Sequence, residues 1–399
     1  MKGFLDVEIC EKFRKVIVET NIFENDNEYR EHYNLICAVM DRIDSSIAYL
    51  NINASPPKTE ESLLFFIVYS CMLLDGVKQL LKSLEIETEY QNQDSHESYK
   101  FFKDICMGRP LFIPQEKCPT DDKFFEYLRS LSMAHPFETS RPKFFKKGEI
   151  QYSPWVISNS TMMNLMGVKD GVGIRIYSNQ FDESQDLIFS FNILKGYINS
   201  RFHLMEKVTE KVYQIIADKE KEWKKDKVPI DLSPIDTLTR IVEILKKRYE
   251  NTYSIDISIL YLQCSLTESA NKGIVSSYQK VITDLIPCLI DSVEELDYEK
   301  IAMIFSEVLH ARPKFTDEMA HYQLEKIFSY LNIGDELTSN YTWGILQADI
   351  FTDNFAKKWV KINTDTMNAD EIKLLVSVAC YFEKIEQDNL NTRSVENNT

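Results

Sequence analysis

Apolar residues recur at helical spacing over most of the chain, and the rhythm changes once. From about Glu28 to Leu50, the positions Ile36, Val39, Met40, Ile43 and Ile47 fall on one face, which predicts an amphipathic helix. Ser55-Pro56-Pro57 interrupts the backbone. Thr59 followed by Glu60 and Glu61 then supplies the start of a second helix, because carboxylates in a first turn complement the helix dipole. That helix runs to about Leu84 and is apolar nearly all round, the pattern of a central bundle helix. A polar loop from Glu87 to Glu97 leads to a short helical piece around Tyr99 to Met107, and after Pro119-Thr120 another helix carries Phe124, Phe125, Leu128 and Leu131. Then the period shortens. Gln151 to Ser158, Val172 to Ser178 and Leu187 to Phe191 are β-branched or aromatic runs punctuated by glycine, asparagine and aspartate, which predicts a small sheet or hairpin. Helical spacing resumes from about Leu194 to Lys225.

These elements predict a mainly α fold: an antiparallel helical bundle with a β insertion at about 150–191, followed by an all-α C-terminal domain. The charge run Lys224 to Asp231, followed by Ser233-Pro234, marks a domain boundary. The first domain is therefore read as 1–229 and the second as 230–386, with helices near 234–250, 255–269, 272–292, 297–311, 316–332, 336–349 and 369–386. No repeat of fixed period stands out. The polar stretch 387–399 reads as a disordered tail.

Charge and composition narrow the function classes. A net charge of −16 excludes a general nucleic-acid-coating protein, so any phosphate site has to be a local basic patch. Eight cysteines without a CxxC pair read as reduced thiols in the helical core. The amino terminus lacks the apolar segment of a secretion signal, and the longest apolar run, Leu63 to Leu74, is shorter than the roughly 20 residues a bilayer span needs. The expectation is a cytoplasmic protein with no membrane partner. His32, His96, His203, His310 and His321 stand singly, and Gly171-Val172-Gly173 lacks the third glycine or lysine of a nucleotide cradle; neither a metal nor a cofactor is expected.

Candidate chemistry is concentrated in Tyr127 to Pro136. Arg129 is a permanent cation with a planar donor fork suited to phosphate oxygens, and His135 can move a proton near neutral pH. Six positions at about 100° each leave the two side chains roughly 120° apart on an ideal helix, so they do not share a face. They converge only if the helix stops near His135 or if a second copy supplies the complementary group. Pro136 favours a stop, because it pushes the residue before it out of the helical region. A plainer reading is that His135 ends a helix and Arg129 pairs with Glu126 or Asp122 on its own helix.

Arg129, Ser130 and His135 match an arginine, a polar residue and a histidine four to six residues on, and at these positions the chain resembles the HEPN superfamily. The resemblance covers about the first 225 residues. Ser130 departs from the asparagine, aspartate or histidine commoner at that place. The resemblance implies a small, mostly antiparallel helical bundle, a homodimer whose arginines and histidines face each other, and a metal-independent endoribonuclease, in a family frequent in toxin–antitoxin and antiviral systems.

On that reading His135 abstracts a ribose 2′-hydroxyl proton and Arg129 stabilises the pentavalent phosphorane, with Ser130 orienting the arginine or a phosphate. Just downstream, Arg141, Lys143, Lys146 and Lys147, interleaved with Phe144 and Phe145, have the composition of an RNA contact and equally that of a solvated loop. The second domain would regulate the nuclease or recruit a neutralising or sensor protein. Two readings of other classes stay open. One is a non-catalytic helical scaffold for dimerisation or for binding RNA or a nucleotide. The other is an interaction protein working through its C-terminal domain.

Overall fold

The computed structural model describes residues 3–107, 118–137, 149–158, 167–180, 182–229, 231–332 and 334–396, with residues 391–396 described by backbone alone. The fold is mainly α-helical with a small antiparallel sheet, and the chain divides into units 1–217 and 218–399. The division falls inside the helix Leu204–Trp223, upstream of the charge run at Lys224 to Asp231.

In the first unit, two helices precede the first one expected. α1 (Val7–Val18) starts at Asp6, whose carboxylate accepts the Glu8 N–H at 3.2 Å, and buries Cys10, Phe13, Val16 and Ile17 along one stripe. α2 (Ile22–Asn25) is a single turn. α3 (Arg30–Ile52) and α4 (Glu60–Ser83) lie close to the periodic segments. Thr59 and Ser62 cap α4 reciprocally, each side chain accepting the other's backbone N–H at 3.2 and 3.1 Å. At 24 residues α4 has the length and hydropathy to cross a membrane, yet Leu63, Phe66, Ile67, Leu73, Val77 and Leu80 are buried against neighbouring helices, as in a central bundle helix.

α5 (Lys103–Cys106) is a single turn, α6 (Asp121–Arg129) carries Arg129, and the expected 194–225 helix is two: α7 (Phe191–Phe202) and α8 (Leu204–Trp223), separated at His203. The expected polar loop 87–97 holds short 3₁₀ turns at Glu89–Gln91 and His96–Tyr99.

The sheet is built on β3 (Gly171–Ser178), with β1 (Gln151–Tyr152), β2 (Val156–Ile157) and β4 (Gln185–Ser190) each antiparallel to it. Tyr152 pairs with Tyr177 but Val156 with Ile174, so four steps on one strand oppose three on the other. This is the offset of a β-bulge around Ser153 to Trp155. Val172, Ile174 and Ile176 put one face of β3 into the core, and Phe189 of β4 meets Phe102 and Phe124 at 5.7 and 5.9 Å. Phe102 stacks on Phe124 at 4.3 Å and tilts against Tyr197 of α7 at 5.3 Å. These rings join the sheet to α6 and α7 through offset and edge contacts, the arrangements aromatic quadrupoles favour.

The second unit packs around the helix Ala369–Glu396, in which Ile372, Leu374, Leu375, Val376, Val378 and Ala379 are all buried. A run buried on every side explains why no single apolar face is legible there. Tyr261 and Ser377 hydroxyls meet at 3.0 Å, and Glu371 accepts the Thr267 N–H and hydroxyl at 2.7 and 2.6 Å. Buried Arg248 donates to the Val293 and Trp223 carbonyls at 2.6 and 2.8 Å. Three expectations need correction here. Segment 272–292 is two helices, Lys272–Asp284 and Ile286–Glu295, with Pro287 in the first turn of the latter, where its missing N–H is harmless. Segment 297–311 divides at Phe305. The stretch from Gln387 continues the last helix as far as Glu396, and Gln387 itself bridges the Lys314 backbone, so the expected tail is helical over its described residues.

Gly173 is set so close to β4 that a Cβ would lie 1.9 Å from the Leu187 carbonyl oxygen, whereas a Cβ on Gly273, in the helix Lys272–Asp284, would meet nothing within 4 Å. Gly173→Ala should therefore cost about 3 kcal/mol by forcing β3 from β4. Gly273→Ala should leave stability unchanged or raise it by up to about 1 kcal/mol by lowering the entropy of the unfolded chain. Urea unfolding followed by circular dichroism checks both signs.

Candidate functional site

α6 is built to point its last turn outward. Thr120 caps it, accepting the Lys123 N–H at 3.4 Å, and Asp121 and Asp122 occupy the first turn, where the dipole favours carboxylates. Asp121 is fully buried, and its carboxylate accepts the Phe102 N–H at 2.9 Å and the Phe101 N–H at 3.1 Å. Burial pushes this carboxyl above its ordinary range, and those N–H groups oppose the shift. Phe124, Phe125, Tyr127 and Leu128 then face the core, leaving Arg129 half-exposed at the end of the helix.

After Arg129 the backbone widens into a π turn, Ser130–Ala134, closed by the His135 N–H on the Ser130 carbonyl at 2.7 Å. Such turns insert a residue into the helical path and re-aim the side chains beyond it, so the 120° separation of an ideal helix does not apply. Pro136 acts as its sequence position requires: His135 has left the helical region at φ −143°, ψ 59°. The Pro136 carbonyl accepts the Ser153 N–H at 2.7 Å, tying the exit to the sheet.

Within one chain the candidate residues are not drawn into one cluster. Arg129 Nη1 lies 3.7 Å from Asp75 of α4, so its partner comes from another helix rather than from Glu126 or Asp122. Those two are engaged elsewhere, Glu126 with Lys78 at 3.8 Å and Asp122 with Arg201 at 2.8 Å. His135 is exposed, and among the described residues no hydrogen bond joins its imidazole to Arg129 or to any other group. Ser130 is buried, and its carbonyl closes the π turn. Arg141, Lys143, Lys146 and Lys147 lie outside the described residues.

Sequence reasoning missed a cleft beside Arg129. It has a volume of about 130 Å³ and is walled by α4, the Glu89–Gln91 turn, α6 and α7. The most buried cation of its lining is Arg201 of α7, only 5 % exposed. The guanidinium lies 3.7 Å from the Tyr90 ring centroid, donates Nε to Asp122 at 2.8 Å and Nη1 to the Ser200 hydroxyl at 3.2 Å, while Tyr197 donates its hydroxyl to the same Asp122 oxygen at 2.8 Å. Burial and the Asp122 charge hold the Tyr197 phenol well above its usual range, so it serves as a donor. Cys71, also on the wall, is pushed up to about 12 by burial and stays a thiol, not a nucleophile. One signal for Arg201 exists in the sequence: Leu194, Ile198, Arg201 and Met205 share a helical stripe, and a charge on an apolar stripe needs a buried partner. Among the described residues, no three His, Cys, Asp or Glu side chains gather as a metal site would require.

Compared with family models, curated proteins and solved structures, the chain has no match. The site therefore has to be read from its own geometry.

The two arginine pairs should separate on mutation. Asp122→Asn leaves the buried Arg201 without its countercharge and should cost about 2 kcal/mol, in the range for a hydrogen bond to a charged group. Asp75→Asn, at a long and exposed pair, should cost less than about 0.5 kcal/mol. Chemical denaturation of both variants in parallel decides whether Arg201 or Arg129 is the structural arginine.

Proposed function

We propose that the first unit is a metal-independent endoribonuclease of the HEPN type, with Arg129 and His135 as its catalytic pair and a second copy of the chain completing the site. The observation that carries this reading is the π turn after Arg129, which leads out of the helix to an exposed histidine, while Arg129, at the end of α6, is held among the described residues by one long, exposed ion pair. A histidine kept only for packing would be buried and hydrogen-bonded, and an arginine kept only for stability would be held as Arg201 is. Because no hydrogen bond joins Arg129 to His135 in one chain, the complementary groups are assigned to a homodimer partner, as the resemblance implies.

In this mechanism neutral His135 takes the proton of the ribose 2′-hydroxyl, the 2′-oxygen attacks phosphorus, and Arg129 leaves Asp75 to neutralise the phosphorane. The 5′-oxygen departs with a proton from the partner's histidine or from water, leaving a 2′,3′-cyclic phosphate and a 5′-hydroxyl. DNA, without the 2′-hydroxyl, is not cleaved. Ser130 is the positioning residue that orients the arginine or a phosphate, and Arg141, Lys143, Lys146 and Lys147 supply RNA contacts. Cytoplasmic location, a toxin or antiviral role, and a neutralising or sensor partner on the second unit belong to the same proposal. The Asp75 pair favours one second reading, a non-catalytic dimerisation or RNA-binding scaffold in which Arg129 is structural.

Purified protein is expected to cut total RNA or transfer RNA in excess EDTA, leaving cyclic phosphate ends. Folded Arg129→Ala and His135→Ala variants should each lose at least about 100-fold in rate. Equal behaviour of wild type and both variants would support the scaffold instead.

A further inference from the structure

The outer face of the sheet carries rings that the core does not use. Val172, Ile174 and Ile176 turn one face of β3 inward, so Arg175 and Tyr177 lie on the other. Tyr152 of β1 stands directly opposite Tyr177 and shares its face. Trp155, on the bulge, lies against Arg175, whose guanidinium is 5.2 Å from the indole centroid. Asp186 of β4 holds that guanidinium with two hydrogen bonds of 2.6 Å, which neutralise its charge and fix its plane. With one side of its ring so occupied, Trp155 is still 43 % exposed, as is Tyr177. The same bulge is tied to the candidate catalytic segment. The Ser153 N–H that bonds the Pro136 carbonyl stands between Tyr152 and Trp155, and Pro136 follows His135.

We propose that this face is a stacking platform for unpaired bases of an RNA strand, with Trp155 and Tyr177 each taking a base. Arg175 and Tyr177 are two strand positions apart, about 7 Å, and Trp155 lies over the first of them, so the two rings have room for a base each. Charge and area select the occupant. The guanidinium on this face is already paired with Asp186, so the face offers ring planes rather than a phosphate site, and stacking on a π-face needs no charge. At 43 % exposure, two aromatic side chains leave on the order of 200 Å² open, far below the ~800 Å² per partner of a standard protein interface. A duplex keeps its base faces inside its own stack, so the platform admits unpaired nucleotides. Residues 141–147, between Pro136 and Ser153 in sequence, have four cations and no acid, which complements the phosphates of the strand. A neutral platform does not attract RNA from a distance; it fixes which nucleotides rest near His135 once those cations hold the backbone. The inference deepens the nuclease reading and rests on it for the choice of RNA.

The test is fluorescence anisotropy of the full-length protein with a labelled single-stranded 2′-O-methyl oligoadenylate, which has no free 2′-hydroxyl and is not cut by the proposed route. Saturable binding is expected, at least about tenfold tighter than to the same strand annealed to its complement. Trp155→Ala and Tyr177→Ala should each weaken it about tenfold, the size of one lost base stack. Tyr177→Phe, which keeps the ring, should bind within about twofold of the wild type, and Trp343→Ala, which removes an equally exposed indole from the second unit, should change nothing. Because this strand is not cleaved, binding of this kind by a protein that leaves natural RNA intact would sink the nuclease reading while the platform stands. The platform is overturned if the single strand does not saturate or binds no better than the duplex. It is equally overturned if folded Trp155→Ala and Tyr177→Ala proteins bind as the wild type does, or if Tyr177→Phe loses as much as Tyr177→Ala. A change of oligomeric state in the alanine variants by light scattering, with strand binding intact, would make the face a contact between copies of the chain and overturn it too.

Discussion

The first unit depends on how the start of α6 is anchored. Asp121 turns a fully buried carboxylate back onto the N–H groups of Phe101 and Phe102, and the next residue, Asp122, reaches out to Arg201 and Tyr197. Two adjacent acids thus fasten one helix to two different segments. Phe102, positioned by the first acid, stacks on Phe124 and touches Phe189 and Tyr197, so the polar anchor and the aromatic contacts fix the same joint. Neither would suffice alone. A buried carboxylate is costly without donors, and stacked rings without a polar register can slide. Together they set the direction of α6, and with it the place where Arg129 leaves the core.

How much of this could be read from sequence depends on the range of the interactions. α3, α4 and α6 were legible because their signals are local: an apolar period, proline breaks, and a threonine with acids after it. The sheet was legible from alternation and glycine spacing, though not its bulge, which depends on pairing with β3. Breaks at His203 and Phe305 were not legible, since the helical spacing of apolar residues, Ile198, Phe202 and Met205 at one and Ile301, Ile304 and Val308 at the other, continues through both. Arg129 and His135 could be singled out by spacing, and Pro136 announced that the helix stops. The widening into a π turn could not be foreseen, because it is settled by which carbonyl His135 reaches rather than by residue type. Arg201 belongs to the same class of omission: its partners Tyr90 and Asp122 lie far away in sequence and meet it only in the fold.

Contrast between the two arginines clarifies what each can do. Arg201 is buried, stacked and doubly hydrogen-bonded, so moving it would dismantle a wall. Arg129 is half-exposed and its one acid is 3.7 Å away, so it can change partner at little cost. A fixed guanidinium suits holding a wall in place, whereas a solvated, loosely paired one suits a group that must meet charge developing during a reaction.

Electrostatics then constrains the nuclease reading from another side. Around the cleft Arg129, Lys78 and Arg201 each have a carboxylate partner, so these cations create little surplus positive field. In a protein of net charge −16, RNA gains almost nothing from long-range attraction to such a site. Affinity has to come from a segment whose cations outnumber its acids, and Arg141-Pro142-Lys143-Phe144-Phe145-Lys146-Lys147, six residues after His135, has four cations and no acid. On the proposed nuclease reading the work is divided: the Arg129–His135 pair acts on the scissile phosphate, and the basic segment that follows it in sequence holds the strand. If that segment did not touch RNA, the Arg129–His135 pair would be left with chemistry but almost no means of retaining its substrate.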